Sequence, residues 1–287
     1  MPLVSMKEML IKANKEGYAV GAFNINNLEW TLAVLDTAEA LKAPVILGVS
    51  SGAAKYMGGF NTVASLVNGL IKDRGYTIPI ALHLDHGASL EICKTAIDAG
   101  FTSVMIDASK YEVDENIRIT KQVVDYARAQ DRYISVEAEI GHVGGEEEDI
   151  IAETMYARPD ECVRIVKEAN LDCLAPALGS VHGPYKGEPK LGFKEMKEIN
   201  DLVGVPLVLH GGSGIPDFQI KEAIARGTAK INVNTECQQA FTAIVREVLK
   251  KDEKVYDPRK VVGPGMKGIA DVVRAKCEVF GCVGKAA

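Results

Sequence analysis

The sequence lacks an excess of positive charge: 33 Lys and Arg residues stand against 39 Asp and Glu residues, a formal net charge of −6. Nucleic acids and anionic membranes both require a basic partner surface, so this balance argues against either as a major partner. The sequence also lacks any apolar run near the roughly 18 residues of a membrane-spanning helix. Its first residues do not show the basic-then-apolar order of a secretory signal. We therefore expect a cytoplasmic protein.

The six cysteines include no CxxC pair, and a cytosolic chain of this length needs no disulfide framework. We expect most of them to be small core residues, with Cys277 and Cys282 as candidates for exposure. No low-complexity stretch, Pro-rich linker or shift of composition marks a domain boundary. We interpret residues 1–287 as a single domain, because α/β barrels routinely occupy about 250 residues.

Short apolar runs alternate with amphipathic segments along the chain. Eight runs have the composition of buried β-strands: residues 19–23, 44–49, 79–84, 103–107, 133–139, 171–178, 206–210 and 229–233. The segments between them place apolar residues three or four positions apart, as at Val113, Ile117 and Val124, which is typical of helices. Strands that alternate with helices predict a parallel sheet joined by right-handed crossovers.

Two further helices are predicted at the ends of the chain. Ser5 and Glu8 form a capping box, in which each side chain satisfies a free N–H group at a helix start, and this helix is expected to end at Gly17. The tail from about residue 264 has the pattern of an additional C-terminal helix.

Polar residues decide between a closed barrel and an open doubly wound sheet. All eight strand units carry unusual polar residues at or just beyond their C-terminal ends: Asn24, Ser50, Asp85, His86, Asp107, Glu137, Glu139, His182, His210, Asn232, Asn234 and Thr235. In a barrel these ends converge on one mouth, whereas in an open sheet they would lie along a line too long for one small ligand. We therefore predict an α/β fold of the (β/α)8 TIM-barrel class.

Three of the five histidines, His86, His182 and His210, close the third, sixth and seventh strand units. Three imidazoles at one barrel mouth match a catalytic metal site with an open coordination position. By ligand type the metal is Zn2+, one per subunit, although Co2+ or Fe2+ suits similar sites. We interpret His83 as a hydrogen-bonded core residue and His142 as a loop residue.

Several carboxylates accompany these histidines. Asp85 adjoins His86, where it is either an orienting group or a proton donor. Asp107 and Glu139 end neighbouring strands, and a second cation or a basic partner would offset the cost of their burial. The Gly-rich acidic segment 141–149 is either a mobile loop that carries a carboxylate to the site or an ordinary solvated loop.

The run Gly211-Gly-Ser-Gly214 precedes a helix, so its backbone N–H groups can approach an anion. Barrels often bind phosphate between the loops after the seventh and eighth strands, and the loop after the eighth contributes Asn232, Asn234 and Thr235. Lys186 and Arg259 are either positive contacts to phosphate or ordinary surface residues.

Taken together and in this order, the motifs resemble the class II fructose-1,6-bisphosphate aldolases of the short bacterial type over nearly the whole chain. The resemblance is carried by Ala22-Phe-Asn24, His83-Leu-Asp-His86-Gly87, Val104-Met-Ile-Asp-Ala-Ser109, Val136-Glu-Ala-Glu139, Gly144-Gly-Glu-Glu147, Leu174-Ala-Pro-Ala177 through His182-Gly183, Leu209-His-Gly-Gly-Ser-Gly214, Ile231-Asn-Val-Asn-Thr235 and Asp257-Pro-Arg259.

The resemblance implies reversible aldol cleavage of fructose 1,6-bisphosphate to dihydroxyacetone phosphate and glyceraldehyde 3-phosphate, in glycolysis and gluconeogenesis. It implies that the three histidines hold the metal, which would stabilise the enediolate left by cleavage. Asp85 would deprotonate the C4 hydroxyl, and Glu147 would protonate the carbon beside the ketone. Glu146 and Glu148 stay open as alternatives for this loop residue.

The remaining site residues follow from the same resemblance. Asp107 and Glu139 match an auxiliary position for a second or monovalent cation. The phosphate pocket of the dihydroxyacetone-phosphate half is matched by Ser213, Asn232, Asn234 and Thr235, with the backbone of Gly183 and Gly211 close by. Contacts to substrate hydroxyls or to the other phosphate are matched by Asn24, Ser50 and Arg259. Asn234 departs from the longer relatives, which carry Asp there. A homodimer or homotetramer is expected.

Three alternatives remain open from the sequence. A tagatose-1,6-bisphosphate aldolase shares almost every motif. A Schiff-base aldolase would use Lys230, but it leaves the three histidines unexplained. A non-catalytic phosphate-binding barrel would need no acid and base such as Asp85 and Glu147.

Overall fold

The computed structural model describes residues 3–147, 150–152, 156–185 and 187–286, with the backbone alone for residues 145–147 and 150–152. Eleven strands lie in these ranges: β1 (Val20–Asn24), β2 (Val45–Val49), β3 (Ile80–Gly87), β4 (Ser103–Ile106), β5 (Ser135–Ile140), β6 (Gly144–Glu147), β7 (Ile150–Ala152), β8 (Cys173–Pro176), β9 (Val181–His182), β10 (Leu207–Leu209) and β11 (Thr228–Val233).

Twelve α-helices lie in the same described ranges, with a 3-10 turn at Gly263–Gly265. They are α1 (Met6–Glu16), α2 (Leu28–Leu41), α3 (Ser51–Tyr56), α4 (Phe60–Arg74), α5 (Leu90–Ala99), α6 (Val113–Arg128), α7 (Pro159–Ala169), α8 (Phe193–Val203), α9 (Asp217–Ala225), α10 (Thr235–Lys251), α11 (Pro258–Val262) and α12 (Met266–Phe280). Among the described residues, no helix combines the length and apolar character needed to cross a bilayer.

Eight strands close into a barrel in the order β1-β2-β3-β4-β5-β8-β10-β11, and all neighbouring pairs run parallel. These are the eight predicted runs, with their ends shifted by no more than three residues. Nearly every residue of these strands is buried, because helices cover the outside and side chains fill the inside. The predicted (β/α)8 fold is confirmed.

The first and last helices also form where the sequence predicts them. The Ser5 hydroxyl accepts a hydrogen bond from the Lys7 N–H at 3.2 Å, and α1 ends at Gly17, whose φ of 70° suits glycine. The predicted C-terminal helix is α12, which packs against α2 and α10. Its buried face includes Cys277, and Cys282 just beyond it is also buried, so the expected exposure of these two cysteines is wrong.

Helix α1 lies at the amino-terminal end of the barrel. The Val4 N–H donates to the carbonyl of Ile80 at the start of β3, and the Met6 N–H donates to the hydroxyl of Ser135 at the start of β5. These contacts tie the beginning of the chain to the start of two barrel strands. The carboxyl ends of the strands therefore form the mouth at which a substrate can enter.

A small second sheet lies beside this mouth and was not predicted. Strands β6 and β7 pair antiparallel, and β6 pairs parallel with β9, so that Gly144 lies opposite Val181 and Gly145 opposite His182. Part of the predicted loop 141–149 is therefore strand. Strands of two to four residues are too short to show a period, which is why the sequence pattern missed them.

Candidate active site

Three imidazoles meet at the carboxyl end of the barrel. His86 is the last but one residue of β3, His182 ends β9, and His210 directly follows β10. Their ring centroids lie between 4.6 and 5.9 Å apart, and one ring nitrogen from each lies within 4.8 Å of the others. This spacing suits three ligands of one cation.

The backbone at His86 is irregular. His86 has a φ of 47°, in the left-handed region, where β3 shifts its register against β4 between Leu84 and Gly87. A Cβ at Gly87 would lie 2.6 Å from the carbonyl oxygen of Met105, so the close approach requires glycine. In a regular strand, consecutive side chains point to opposite faces. The irregularity allows Asp85 and His86 both to reach the mouth.

A carboxylate lies against the outer nitrogen of two of the rings. His86 Nδ1 lies 2.8 Å from Asp107 Oδ2, and His210 Nε2 lies 2.8 Å from Glu137 Oε1. Burial would raise the pKa of each carboxyl, but Lys230 beside Glu137 and the imidazoles beside both hold these pKa values well below their usual range. An ionised carboxylate only accepts, so each neighbouring ring nitrogen carries the hydrogen.

The inner nitrogens of the same two rings face each other. His86 Nε2 and His210 Nδ1 lie 2.9 Å apart. With the hydrogens on the outer nitrogens, both inner atoms present a lone pair, and two lone pairs at this distance repel unless a cation lies between them. Burial lowers the pKa of His210 and His182, which keeps both rings in the neutral form that binds metals. The donor set therefore fits a divalent metal.

Asp85 is buried next to these rings. Its Oδ2 accepts from Asn24 Nδ2 at 2.9 Å, and its Oδ1 accepts from Asn232 Nδ2 at 3.0 Å. Burial would raise the pKa of Asp85, but His86 and His210 hold it well below its usual range. Two amides from the first and last barrel strands thus orient an ionised carboxylate, which is able to accept a proton.

A second group of potential ligands consists of His86, Asp107 and Glu139, whose ligand atoms lie within 4.8 Å of one another. Glu139 Oε1 accepts from the Val143 N–H at 3.0 Å, whereas Oε2 is buried without a hydrogen-bond partner among the described residues. Burial and then the charge of Asp107 raise the pKa of Glu139 to about 8. Either a proton or a cation would relieve this crowding of carboxylates.

The other two histidines have different surroundings. His83 is fully buried, with Nδ1 2.7 Å from the Ser103 hydroxyl, which agrees with its interpretation as a core residue. His142 Nδ1 lies 2.9 Å from the Ser109 hydroxyl, which donates to Asp107 at 2.7 Å. His142 therefore connects the segment before β6 to the carboxylate that holds His86.

Lys230 and Glu137 form an ion pair inside the barrel. Lys230 Nζ donates to the two Glu137 oxygens at 3.0 and 2.8 Å, and both side chains are 0% exposed. This pair was not predicted from the sequence, which offered Lys230 only as the candidate lysine of a Schiff-base aldolase. Because its amine is taken up in the ion pair, Lys230 is not the free nucleophile that a Schiff-base aldolase needs.

Breaking this ion pair is expected to be costly. Lys230→Met removes the ammonium that balances the buried carboxylate of Glu137 and leaves it the hydrogen bond from His210, so the free energy of unfolding should fall by about 3–5 kcal/mol. Lys230→Met/Glu137→Gln removes both charges and should recover much of the loss. Urea unfolding of the metal-free proteins measures both effects. Lys197→Ala, which breaks an exposed ion pair with Asp201, is the control and should cost about 1 kcal/mol or less. A Lys230→Met protein as stable as the parent contradicts this account.

The loop after β10 lies against the start of α10. Gly211 has a φ of 65°, and a Cβ there would lie 2.2 Å from the Val181 carbonyl oxygen, so glycine is required. Ser213 Oγ accepts from the N–H groups of Asn234 and Glu236 at 3.3 Å each, which leaves its own hydrogen available to donate. A donor at a helix start favours an anion.

Tyr185 supports this loop and was not singled out in the sequence. Its hydroxyl donates to the Gly211 carbonyl at 3.0 Å and accepts from the Val181 N–H at 3.1 Å. Burial raises the pKa of Tyr185 to about 12, so the hydroxyl keeps its proton. Tyr185 thereby joins the strand that carries His182 to the loop that follows His210.

One pocket at the mouth brings most of the predicted site together. It is lined by Asn24, Asn26, Ser50, Asp85, His182, Gly183, Gly211, Ser213, Asn232, Asn234, Thr235 and Gln238. All of these residues except Asn26 and Gln238 were predicted from the sequence. Asn26 lies two residues beyond Asn24 in extended chain, and Gln238 lies one helical turn beyond Asn234. Residues at these spacings lie on the same face of a strand or helix, and this rule could have predicted both.

Seven of the predicted residues are not among those that line this pocket. His86, His210, Asp107 and Glu139 belong to the groups of potential metal ligands described above. The side chain of Arg259 is 89% exposed and pairs with Asp257 at 2.9 Å, because Asp257 caps α11 and also accepts from this guanidinium. Lys186 lies outside the described residues. The backbone of Glu147 belongs to β6, but its side chain lies outside the described part of the chain.

Fold and site together define a (β/α)8-barrel enzyme with a candidate metal centre at the carboxyl ends of its strands. The profile of the family described as fructose-bisphosphate aldolase class-II matches residues 4–285. A fructose-bisphosphate aldolase of Geobacillus stearothermophilus is 64% identical over 288 residues, covering 100% of both chains. One of Staphylococcus aureus strain N315 is 59% identical over 287 residues, again covering 100% of both chains.

Solved structures agree with these relatives. The YdjI aldolase of Escherichia coli K12 has a TM-score of 0.86 and 35% identity, covering 99% of this chain and 100% of its own. A fructose-bisphosphate aldolase of Campylobacter jejuni has a TM-score of 0.85 and 25% identity, covering 99% of this chain and 97% of its own. The chain belongs to the class II fructose-bisphosphate aldolase family. Aldolases of this class are metal-dependent carbon–carbon lyases.

Proposed function

We propose that this protein catalyses the reversible cleavage of fructose 1,6-bisphosphate to dihydroxyacetone phosphate and glyceraldehyde 3-phosphate, a step of glycolysis and gluconeogenesis. The observation that carries the proposal is that the facing imidazoles of His86 and His210 lie beside an ionised Asp85 and a donor-rich loop at one barrel mouth. The names of the two relatives described above support fructose as the sugar and give no support to tagatose.

The metal ligands in this proposal are His86 Nε2, His210 Nδ1 and a ring nitrogen of His182. Zn2+, one per subunit, suits three imidazoles. When bound, the cation supplies Lewis-acid stabilisation of the negative charge that develops on the ketone half of the substrate. Asp107 and Glu137 orient two of the rings through their outer N–H groups.

An auxiliary monovalent or second cation is proposed at Asp107 and Glu139. The unpartnered Oε2 of Glu139 and the raised pKa of its carboxyl support it, because a nearby cation would offset the burial of two carboxylates.

Two carboxylates divide the proton transfers. Asp85 accepts the proton of the C4 hydroxyl. As the bond between C3 and C4 breaks, the electrons of that bond pass to C3, and C4 becomes the aldehyde carbon. Asn24 and Asn232 hold the Asp85 carboxylate in place for this step. Glu147, in its protonated form, then donates a proton to C3, the carbon beside the ketone. The pairing of β6 with β9 supports this role, since it brings the Glu147 strand next to His182.

The phosphate of the dihydroxyacetone half is proposed to bind Ser213, whose hydroxyl has a hydrogen to donate, with Thr235 and the backbone of Gly183 and Gly211. Asn232 and Asn234 each have a buried amide oxygen without a partner among the described residues. An amide oxygen accepts from a hydroxyl but not from a phosphate dianion. We therefore assign these two oxygens to substrate hydroxyls.

Further contacts to hydroxyls or to the second phosphate are proposed for Asn24, Ser50, Lys186 and Arg259. Asn24 and Ser50 line the pocket, whereas Arg259 must leave Asp257 before it can bind substrate. We also propose a homodimer or homotetramer and a cytoplasmic location, the compartment of glycolysis.

Substrate preference is the direct test. Fructose and tagatose 1,6-bisphosphates differ only in configuration at C4, whose hydroxyl must meet Asp85, so the difference in binding is worth a few kcal/mol at most. We expect a higher kcat/KM for fructose 1,6-bisphosphate in a coupled cleavage assay. Both sugars are measured at the same metal and salt concentrations. A higher value for tagatose 1,6-bisphosphate overturns the sugar assignment. If neither sugar is turned over with metal supplied, the proposed aldolase activity is wrong.

A further inference from the structure

A lysine of the C-terminal helix contacts the loop that lines the phosphate pocket. Lys276 Nζ on α12 donates to Glu236 Oε1 at 2.8 Å, and the same carboxylate oxygen accepts from the Gly214 N–H at 2.6 Å. Gly214 ends the glycine-rich run after His210, and Glu236 lies in the first turn of α10. One carboxylate oxygen thus joins three elements that are distant in sequence.

Close packing brings α12 to this position. A Cβ at Gly268 would lie 2.6 Å from the carbonyl oxygen of Ala240 in α10, so the two helix backbones approach at a distance that requires glycine. Lys276 lies on the inner face of α12 between the buried residues Val273 and Phe280, and it is only 8% exposed. A lysine buried to this degree needs a partner, and Glu236 is that partner.

The carboxylate of Glu236 stabilises the loop that lines the pocket, but its negative charge opposes the binding of a phosphate. Its carboxylate anchors the Gly214 N–H, and its own N–H donates to Ser213 Oγ at 3.3 Å, so it helps to hold the loop. The same negative charge lies next to the group proposed to bind a phosphate dianion, which it repels. The Lys276 ammonium cancels that charge while leaving the hydrogen bond to Gly214 intact.

We propose that Lys276 is a positioning residue for phosphate binding: it neutralises Glu236, so that this carboxylate can anchor the glycine-rich loop without repelling the substrate phosphate. The inference rests on the proposed aldolase function, since it concerns the same phosphate pocket. Lys276 acts through Glu236 and touches no reacting atom. Loss of Lys276 should therefore change KM and the binding of anions, while kcat depends on the metal ligands and Asp85.

The test separates charge from structure. Lys276→Met should raise KM for fructose 1,6-bisphosphate about tenfold, the effect of one uncompensated charge near a partly hydrated pocket. The inhibition constant of inorganic phosphate should rise in parallel, and kcat should change less than about twofold. Glu236→Gln keeps an oxygen for the Gly214 N–H and should leave KM at or below the parent value. Lys276→Met/Glu236→Gln should return KM to near that value.

Lys267→Met is the matched control. It removes one positive charge from the same helix, at a side chain that is 75% exposed and paired with Asp271, and KM should not change. An unchanged KM in Lys276→Met overturns the proposal, as does a double variant that binds no better than Lys276→Met. If Lys276→Met does not fold, Glu236→Gln decides: a tenfold rise in its KM contradicts the neutralisation. A parent protein without turnover would instead count against the aldolase function.

Discussion

Removal of the divalent metal by a strong chelator is expected to abolish cleavage of fructose 1,6-bisphosphate, and Zn2+ or a similar ion is expected to restore it. The physical reason is the pair of facing nitrogens, His86 Nε2 and His210 Nδ1, which lie 2.9 Å apart with their hydrogens turned outward to carboxylates. Without a cation at these nitrogens, nothing stabilises the negative charge that cleavage leaves on the substrate.

Metal analysis and trapping complete this test. The active protein should contain about one tightly bound metal per subunit, the number that three imidazole ligands support. Borohydride should trap no adduct of Lys230 with substrate, because this amine is held by Glu137. Full activity in metal-free protein, or a trapped Lys230, would reverse the assignment of mechanism.

Replacement of the two proposed proton carriers, Glu147 and Asp85, should slow different steps of the reaction. Glu147→Ala should slow proton exchange at the carbon of dihydroxyacetone phosphate by roughly 100- to 10,000-fold, the range of a lost general base. Asp85→Ala should slow cleavage of the bisphosphate by a similar factor, and it should affect the exchange less. The difference arises because exchange requires no transfer from the C4 hydroxyl.

Tritium or deuterium exchange into dihydroxyacetone phosphate, measured beside the cleavage rate, gives both numbers. Glu146→Ala and Glu148→Ala are the matched controls, since they remove neighbouring carboxylates of the same acidic segment and should leave exchange near the parent rate. Normal exchange in Glu147→Ala would transfer the role to whichever of these two variants is slow.

Much of the fold was accessible to sequence analysis. The strands are continuous apolar runs because both faces are buried, and α1 is marked by Ser5 at its start and Gly17 at its end. Parallel strands in a barrel end at one mouth, so Asp85, His86 and His210 could be expected to lie together without knowledge of any distance. These features are local or follow from one topological rule.

The partners of each site residue were decided by tertiary structure. Lys230 and Glu137 are 93 residues apart in sequence, and no local pattern indicates that the two side chains meet inside the barrel. Arg259 carried the right charge for phosphate, but the cap of α11 keeps it on Asp257 in the structure. Periodicity reports which face of an element is buried, and it does not report which group on another element lies opposite.

The strongest example of this division is the phosphate loop. The sequence by itself determined that Gly211 to Gly214 follow a strand and precede a helix, since glycine freedom and apolar patterning are local properties. Only the tertiary structure decided that Lys276 and Tyr185 support this loop, because both contacts depend on how α12 and β9 pack against it. Hydrogen bonds and ion pairs between distant segments form only where packing brings donor and acceptor within about 3 Å, a distance that no sequence pattern encodes.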